Sequence, residues 1–224
     1  MSPGLHDDGS CPLPALEPGP LFLPADAALL LIDFQQGIDD PYWGRRNNPQ
    51  AEAVAARLLA AWRDSKRPVI HAQHLSREPH SPYRPGQPGV EFKPALRPHR
   101  GEFVVQKATN SAFVDTGLEA LLRQQGIDTL VVAGVITNNS VEATVRTAGN
   151  LGYRTYLVAD ATATVDKRDL TGRLWFAEEV QALSLANIHG EYATVTQSTA
   201  VLASLAPAPE SAAAALPEPA ACLV

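Results

Sequence analysis

At 224 residues, with 45% apolar and 19% charged side chains, the chain is long enough for one well-buried globular domain. A net charge of −6 without any basic block argues against a nucleic-acid partner. No apolar run reaches the roughly 20 residues that a membrane helix requires, so no membrane partner is expected. The two cysteines, Cys11 and Cys222, lie in Pro- and Ala-rich stretches near opposite ends. They do not read as a disulfide framework or a metal site, which makes a reducing cytoplasm the default location. The first residues carry Asp7 and Asp8 and lack the basic stretch of a secretory signal.

Residues 1–25 are rich in Pro and Gly and read as an irregular arm. A continuous apolar run, Ala28-Leu29-Leu30-Leu31-Ile32, then ends in Asp33, the pattern of a strand buried on both faces of a parallel sheet. A polar and aromatic loop over 36–49 follows, and Asn48-Pro49 opens a helix over about 50–64 with Trp62 on its apolar stripe. Pro68 to His74 is a second strand. The Pro-rich stretch 76–101 has no clear period; loops of that length in a compact domain usually cover a site or form a contact. Phe103 to Lys107 is a third strand, and a helix over about 116–125 stops at Gly126.

The fourth strand begins at Thr129 and runs through Val131-Val132-Ala133 to Gly134. Small polar residues come next, and a helix is predicted over about 139–151, braced by Glu142 and Arg146 one turn apart. A fifth strand spans Arg154 to Asp160, a helix about 172–189, and a sixth strand Tyr192 to Thr196. Residues 203–224 form an Ala/Pro-rich tail expected to be flexible, leaving 26–202 as the folded domain. Alternating strands and helices predict an α/β fold of three layers, with helices on both faces of a six-stranded parallel sheet. Neither a dinucleotide fingerprint nor a phosphate-cradling loop follows a strand, which disfavours nucleotide binding, and no cofactor is expected.

Ligands of such sheets gather beyond the carboxyl ends of the strands, where strand order reverses. Asp33, Lys107 and Ser140 all fall at such ends. In the order 3-2-1-4-5-6 the first and fourth strands are neighbours, so Asp33 and Ser140 would face each other with Lys107 to one side. A carboxylate can take a nucleophile's proton, and an ammonium can hold that carboxylate ionised and in place. The helix start near Ser140 would supply backbone N–H donors to an oxyanion.

Four separated motifs carry a family resemblance. They are Leu30-Leu31-Ile32-Asp33-Phe34-Gln35, Lys107 with Asn110-Ser111-Ala112-Phe113, the run Gly134 to Thr144, and Ala148-Gly149-Asn150-Leu151-Gly152-Tyr153. From about residue 27 to 202 the chain resembles the isochorismatase-like, or cysteine, hydrolases. The resemblance implies the six-stranded sheet just described and a catalytic triad built from Asp33, Lys107 and the residue at 140. It further implies a cis peptide between Val135 and Ile136, oxyanion donors at the N–H groups of Ile136 and Ser140, and a homodimer or tetramer with 76–101 as a candidate contact. Phe34, Gln35, Tyr42, Trp43, Asn110, Phe113 and Thr137 are the candidate substrate-binding residues.

The chain departs from the family where the nucleophilic cysteine is usual: it holds Ser140. Three readings stay open, namely a native serine nucleophile, chemistry without a covalent step, and a replaced cysteine. Thr137-Asn138-Asn139 with Glu142-Ala143-Thr144 looks more like the amidohydrolase branch, which favours hydrolysis of a C–N bond in a small amide, carbamoyl or ureido compound. The alternatives are vinyl ether hydrolysis of the isochorismatase type, with Asp33 as acid, and a ligand-binding protein without turnover.

Several residues are expected to be structural. His71 and His74 sit three apart on a strand and point to opposite faces, so they do not share a metal. His189 complements a helix end, Trp62 and Trp175 pack on helical stripes, and Asp160 lies away from the switch point. Arg45 and Arg46 could bind a substrate carboxylate or simply anchor their loop.

Overall fold

The computed structural model describes residues 21–205. Its centre is a six-stranded, wholly parallel sheet of β1 (Ala28–Ile32), β2 (Val69–His74), β3 (Phe103–Lys107), β4 (Thr129–Val135), β5 (Arg154–Ala163) and β8 (Thr194–Thr196), in the order β3-β2-β1-β4-β5-β8. Counting sheet strands alone, this is the predicted order. A small antiparallel hairpin, β6 (Lys167–Arg168) and β7 (Leu174–Trp175), stands apart.

Every residue of β1 and β4 is buried, as expected of strands covered on both faces. Their alternation splits the core in two. Leu29, Leu31, Val131 and Ala133 pack beneath α1 (Ala51–Asp64) and α5 (Ser198–Leu205). Leu30, Ile32, Leu130 and Val132 pack on the other side, with α2 (Leu118–Gln124), α3 (Glu142–Asn150) and α4 (Ala177–Ile188). Trp62 is fully buried and donates to the Ala27 carbonyl.

The strands β1 and β4 meet closely where strand order reverses, and Gly134 permits it. A Cβ there would lie 2.6 Å from the Ile32 carbonyl oxygen. Any larger residue would push the two strands apart at the point that bears Asp33.

Some predicted boundaries move. The fifth strand runs on to Ala163 because its register with β4 shifts between Val132 and Gly134. Residues 172–175, predicted as the start of a helix, belong to the hairpin instead: Asp169 accepts from the backbone of Thr171 and Arg173, and Gly172 takes φ 85°. Trp175 therefore lies on a hairpin, bonded to Asp169 beneath the Arg173 guanidinium, and not on a helical stripe. The sixth strand is shorter than expected because Tyr192 and Ala193 donate to Ile188 at the end of α4. Asp160 caps α5 through the Ser198 N–H, and α5 carries the described fold past residue 202. Most of the arm 1–25 and of the tail 203–224, with Cys11 and Cys222, lies outside the described residues. Among the described residues no helix is long and apolar enough to cross a membrane.

Candidate active site

Asp33, Lys107 and Ser140 meet at the carboxyl end of the sheet. Asp33 follows β1 directly in a left-handed conformation (φ 54°), which turns the chain sharply at the strand end. Lys107 is the last residue of β3, on the far side of β2. Ser140 lies in a π-helical turn, Thr137–Val141, and not at the first turn of an α-helix. The peptide between Val135 and Ile136 is cis.

The Lys107 ammonium joins the three residues. It donates to Asp33 Oδ2 at 2.8 Å, to Ser140 Oγ at 3.1 Å and to the Thr109 carbonyl at 3.2 Å. These bonds account for its three N–H donors. All three side chains are at least nine-tenths buried. The second carboxylate oxygen of Asp33, Oδ1, is buried without any hydrogen-bond partner. Such a group costs free energy unless something else uses it.

A cavity of about 170 Å³ opens over this cluster, walled by Asp33, Val135, Ile136, Asn139 and Ser140 at its floor. Tyr42, Trp43 and Asn110, three of the expected substrate-binding residues, line it. Trp43 is fixed by its indole N–H on the Gly37 carbonyl and by its rings against Tyr42 and Tyr83. The other four expected residues are placed elsewhere. Phe34 is in the core beneath α1, because the turn at Asp33 swings it inward. Gln35 spends its amide on the backbone of His74 and Val90, tying the long loop to β2. Phe113 packs against Tyr153 on the opposite layer. Thr137 donates to Gln181 on α4.

The roof comes from the Pro-rich stretch expected to cover a site or form a contact, and its residues Ser76, Glu78, Ser81 and Tyr83 are not among the candidate site residues of the sequence. His74 also lines the cavity, 3.5 Å from Lys107 Nζ, while His71 points through the sheet to Glu102. Burial lowers the His74 pKa, with Lys107 acting in the same direction and Asp33 against it, so the ring is neutral at pH 7. Tyr83 is raised well above the ordinary phenol value by its burial and stays protonated. The one signal that could have found this roof is spacing: His74 is the last residue of β2, and strand ends are where ligands gather.

Arg45 and Arg46 point away from the cavity. Arg45 pairs with Asp166 and Glu178, and Arg46 with Glu52. His189 follows α4, where its Nδ1 accepts the Val195 N–H and ties the helix end to β8. A larger open groove of about 710 Å³ lies between α4 and the hairpin, and none of Asp33, Lys107 or Ser140 borders it.

The sequence profile of the isochorismatase domain matches residues 27–200. The chain belongs to the isochorismatase family. It is 57% identical to a solved hydrolase of this family from Chromobacterium violaceum, with a TM-score of 0.81 over 84% of this chain and 98% of that one. Isochorismatase family protein YrdC of Bacillus subtilis is 39% identical over 75% of the chain and 90% of its own length. Maleamate amidohydrolase of Pseudomonas putida is 36% identical over 59% of the chain and 70% of its own. The protein is thus a hydrolase of the isochorismatase family, and amide-cleaving relatives stand beside it.

Proposed function

We propose that the protein hydrolyses the C–N bond of a small amide, carbamoyl or ureido compound, with Ser140 as nucleophile. One observation carries the reading: a single buried ammonium bonds both a carboxylate and the hydroxyl beneath the same cavity. An ammonium donating to Oγ favours the alkoxide, offsetting serine's disadvantage against a thiol. Asp33, through its free Oδ1, takes the Ser140 proton as Oγ attacks the carbonyl carbon. The N–H groups of Ile136 and Ser140 hold the oxyanion that forms. As the C–N bond breaks, the protonated Asp33 gives its proton to the departing nitrogen. Asp33 then deprotonates a water that attacks the ester, which releases the acid and returns the proton to Ser140. Lys107 stays charged throughout and orients Asp33. The similarity to maleamate amidohydrolase supports the bond type. Assembly into a homodimer or tetramer and a cytoplasmic location rest on the resemblance and on cysteine usage; light scattering of the purified protein reads the first.

The test is a panel of small primary amides and ureides with ammonia as readout, followed by intact-mass spectrometry of quenched reactions. The expected result is ammonia release with a mass increase that maps to Ser140, both lost in Ser140→Ala. Undiminished turnover in Ser140→Ala would overturn the covalent role, and pyruvate release from isochorismate would favour the vinyl ether reading.

A further inference from the structure

The wall of the active cavity has a one-sided charge. Among the described residues, its acidic members are Asp33 and Glu78, and neither lysine nor arginine lines it. Lys107 lies behind the floor and pairs with Asp33, so those two charges balance and Glu78 alone carries the wall's excess negative charge. His74 adds no cation at pH 7, since burial holds it neutral. The arginines that could have reached inward are committed elsewhere: Arg45 to Asp166 and Glu178, Arg46 to Glu52. Arg77 and Arg84, in the roof segment, are exposed and outside the wall.

A substrate carboxylate entering this cavity would lose its water and gain no cation in return. Burying an unpaired carboxylate is among the most unfavourable steps in recognition. An ammonium meets the opposite surroundings. Glu78 stands at the mouth, its loop fixed where its N–H donates to Ser76 Oγ. Tyr42 and Trp43 line the same cavity, packed edge to face on each other at 5.0 Å between centroids. Aromatic rings beside a carboxylate attract cations through both charge and quadrupole.

We propose that the substrate is a small amide that carries no carboxylate and bears a positively charged group seated against Glu78, Tyr42 and Trp43. This rests on the amide-hydrolysis reading above and narrows it. It separates the chain from its maleamate-cleaving relative, whose substrate is anionic, and it weighs against isochorismate for the same reason. The cavity volume of about 170 Å³ restricts the acyl part to a few heavy atoms beyond the carbonyl.

Three amides of nearly equal length test it: 3-aminopropanamide (cationic), butanamide (neutral) and succinamate (anionic), each followed by ammonia release at pH 7. The expected order of kcat/KM is cationic, neutral, anionic, with steps on the order of tenfold for one partly screened charge. Glu78 is exposed, so Glu78→Lys folds; it is expected to bring the succinamate rate above that of 3-aminopropanamide. Succinamate cleaved as well as butanamide, or an order unaltered by Glu78→Lys, would overturn the proposal. If no compound releases ammonia, the amide reading fails while charge selection is still read by thermal shift. A larger Tm increase with 3-aminopropanamide than with succinamate then sustains it, and equal, reversed or absent shifts sink it.

Discussion

Two charge clusters meet strand β2 from its opposite faces, and they are built on opposite rules. On one face Glu102 is saturated. Arg63 donates to both of its oxygens at 2.6 and 2.9 Å, while His71 Nε2 and the His99 N–H meet Oε2 at 2.8 and 2.9 Å. Burial pulls this carboxyl upward, but Arg63, the His99 N–H and His71 outweigh it and hold the pKa at about 2. On the other face Asp33 receives Lys107 on Oδ2 and nothing on Oδ1. None of Arg63, His71, His99 and Glu102 lines the active cavity, which opens over the second cluster. A charge group that is fully paired does structural work. One left half-paired at a strand end, beneath an opening, is free to handle a proton.

The largest expected effect breaks the second cluster. Asp33→Asn keeps the shape of the side chain and removes the base, and turnover is expected to fall by roughly 10²–10⁴-fold. Steady-state ammonia release, with circular dichroism to confirm the fold, checks it; near-normal turnover would remove Asp33 from the mechanism. Glu102→Ala is the counterpart on the first cluster. It strands Arg63 and His71 without their shared carboxylate, at a cost on the order of 3 kcal/mol. Urea denaturation reads that loss, whereas kcat per folded molecule is expected to stay as it was. A fall in kcat comparable with that of Asp33→Asn would erase the distinction between the clusters.

A third substitution sharpens the electrostatics of the site itself. Ser140→Cys places a thiol where Lys107 now donates to Oγ. The ammonium is expected to hold the thiol pKa below the ordinary 8.5, so that alkylation by iodoacetamide at pH 7 runs several-fold faster than for a free thiol. The pH profile of alkylation, mapped to residue 140 by peptide mass spectrometry, gives the value directly. A midpoint above 8.5 would mean that burial outweighs Lys107.

The clusters also differ in how far the sequence reveals them. The placement of Asp33, Lys107 and Ser140 at strand ends was legible because hydrophobic runs ending in a reactive residue mark such ends, while their union in one site followed from the resemblance to the isochorismatase-like hydrolases. The partnership of Arg63, His71, His99 and Glu102 was not, because it joins a helix, a strand and an irregular loop across long separations. The roof of the cavity was illegible for a related reason: Ser76 to Tyr83 follows no period, and its position depends on Gln35 pinning Val90 and His74. Phe34, Gln35, Phe113 and Thr137 do not line the cavity, because proximity in sequence to a site residue says little about side-chain direction. One left-handed residue, Asp33, is enough to send Phe34 into the core.

The smallest effect concerns pH, and both clusters contribute to it through β2. Burial lowers the His71 pKa beneath 6.5, with Glu102 opposing, and burial lowers that of His74, with Lys107 assisting and Asp33 opposing. Each ring is therefore neutral in the folded protein at pH values where the unfolded chain already takes a proton. Below 6.5 the unfolded state binds more protons than the native state, so stability falls as pH drops and is fully present above 6.5. Glu102 adds a separate loss only in stronger acid, between the ordinary 4.5 and its folded value of about 2. Denaturation midpoints at pH 7.5, 6.5 and 5.5 are expected to be flat across the first pair and to decline across the second. His71→Gln should reduce the decline without abolishing it, because His74 still titrates. A decline that begins well above 6.5, or one untouched by His71→Gln, would show that the acid sensitivity comes from some other group.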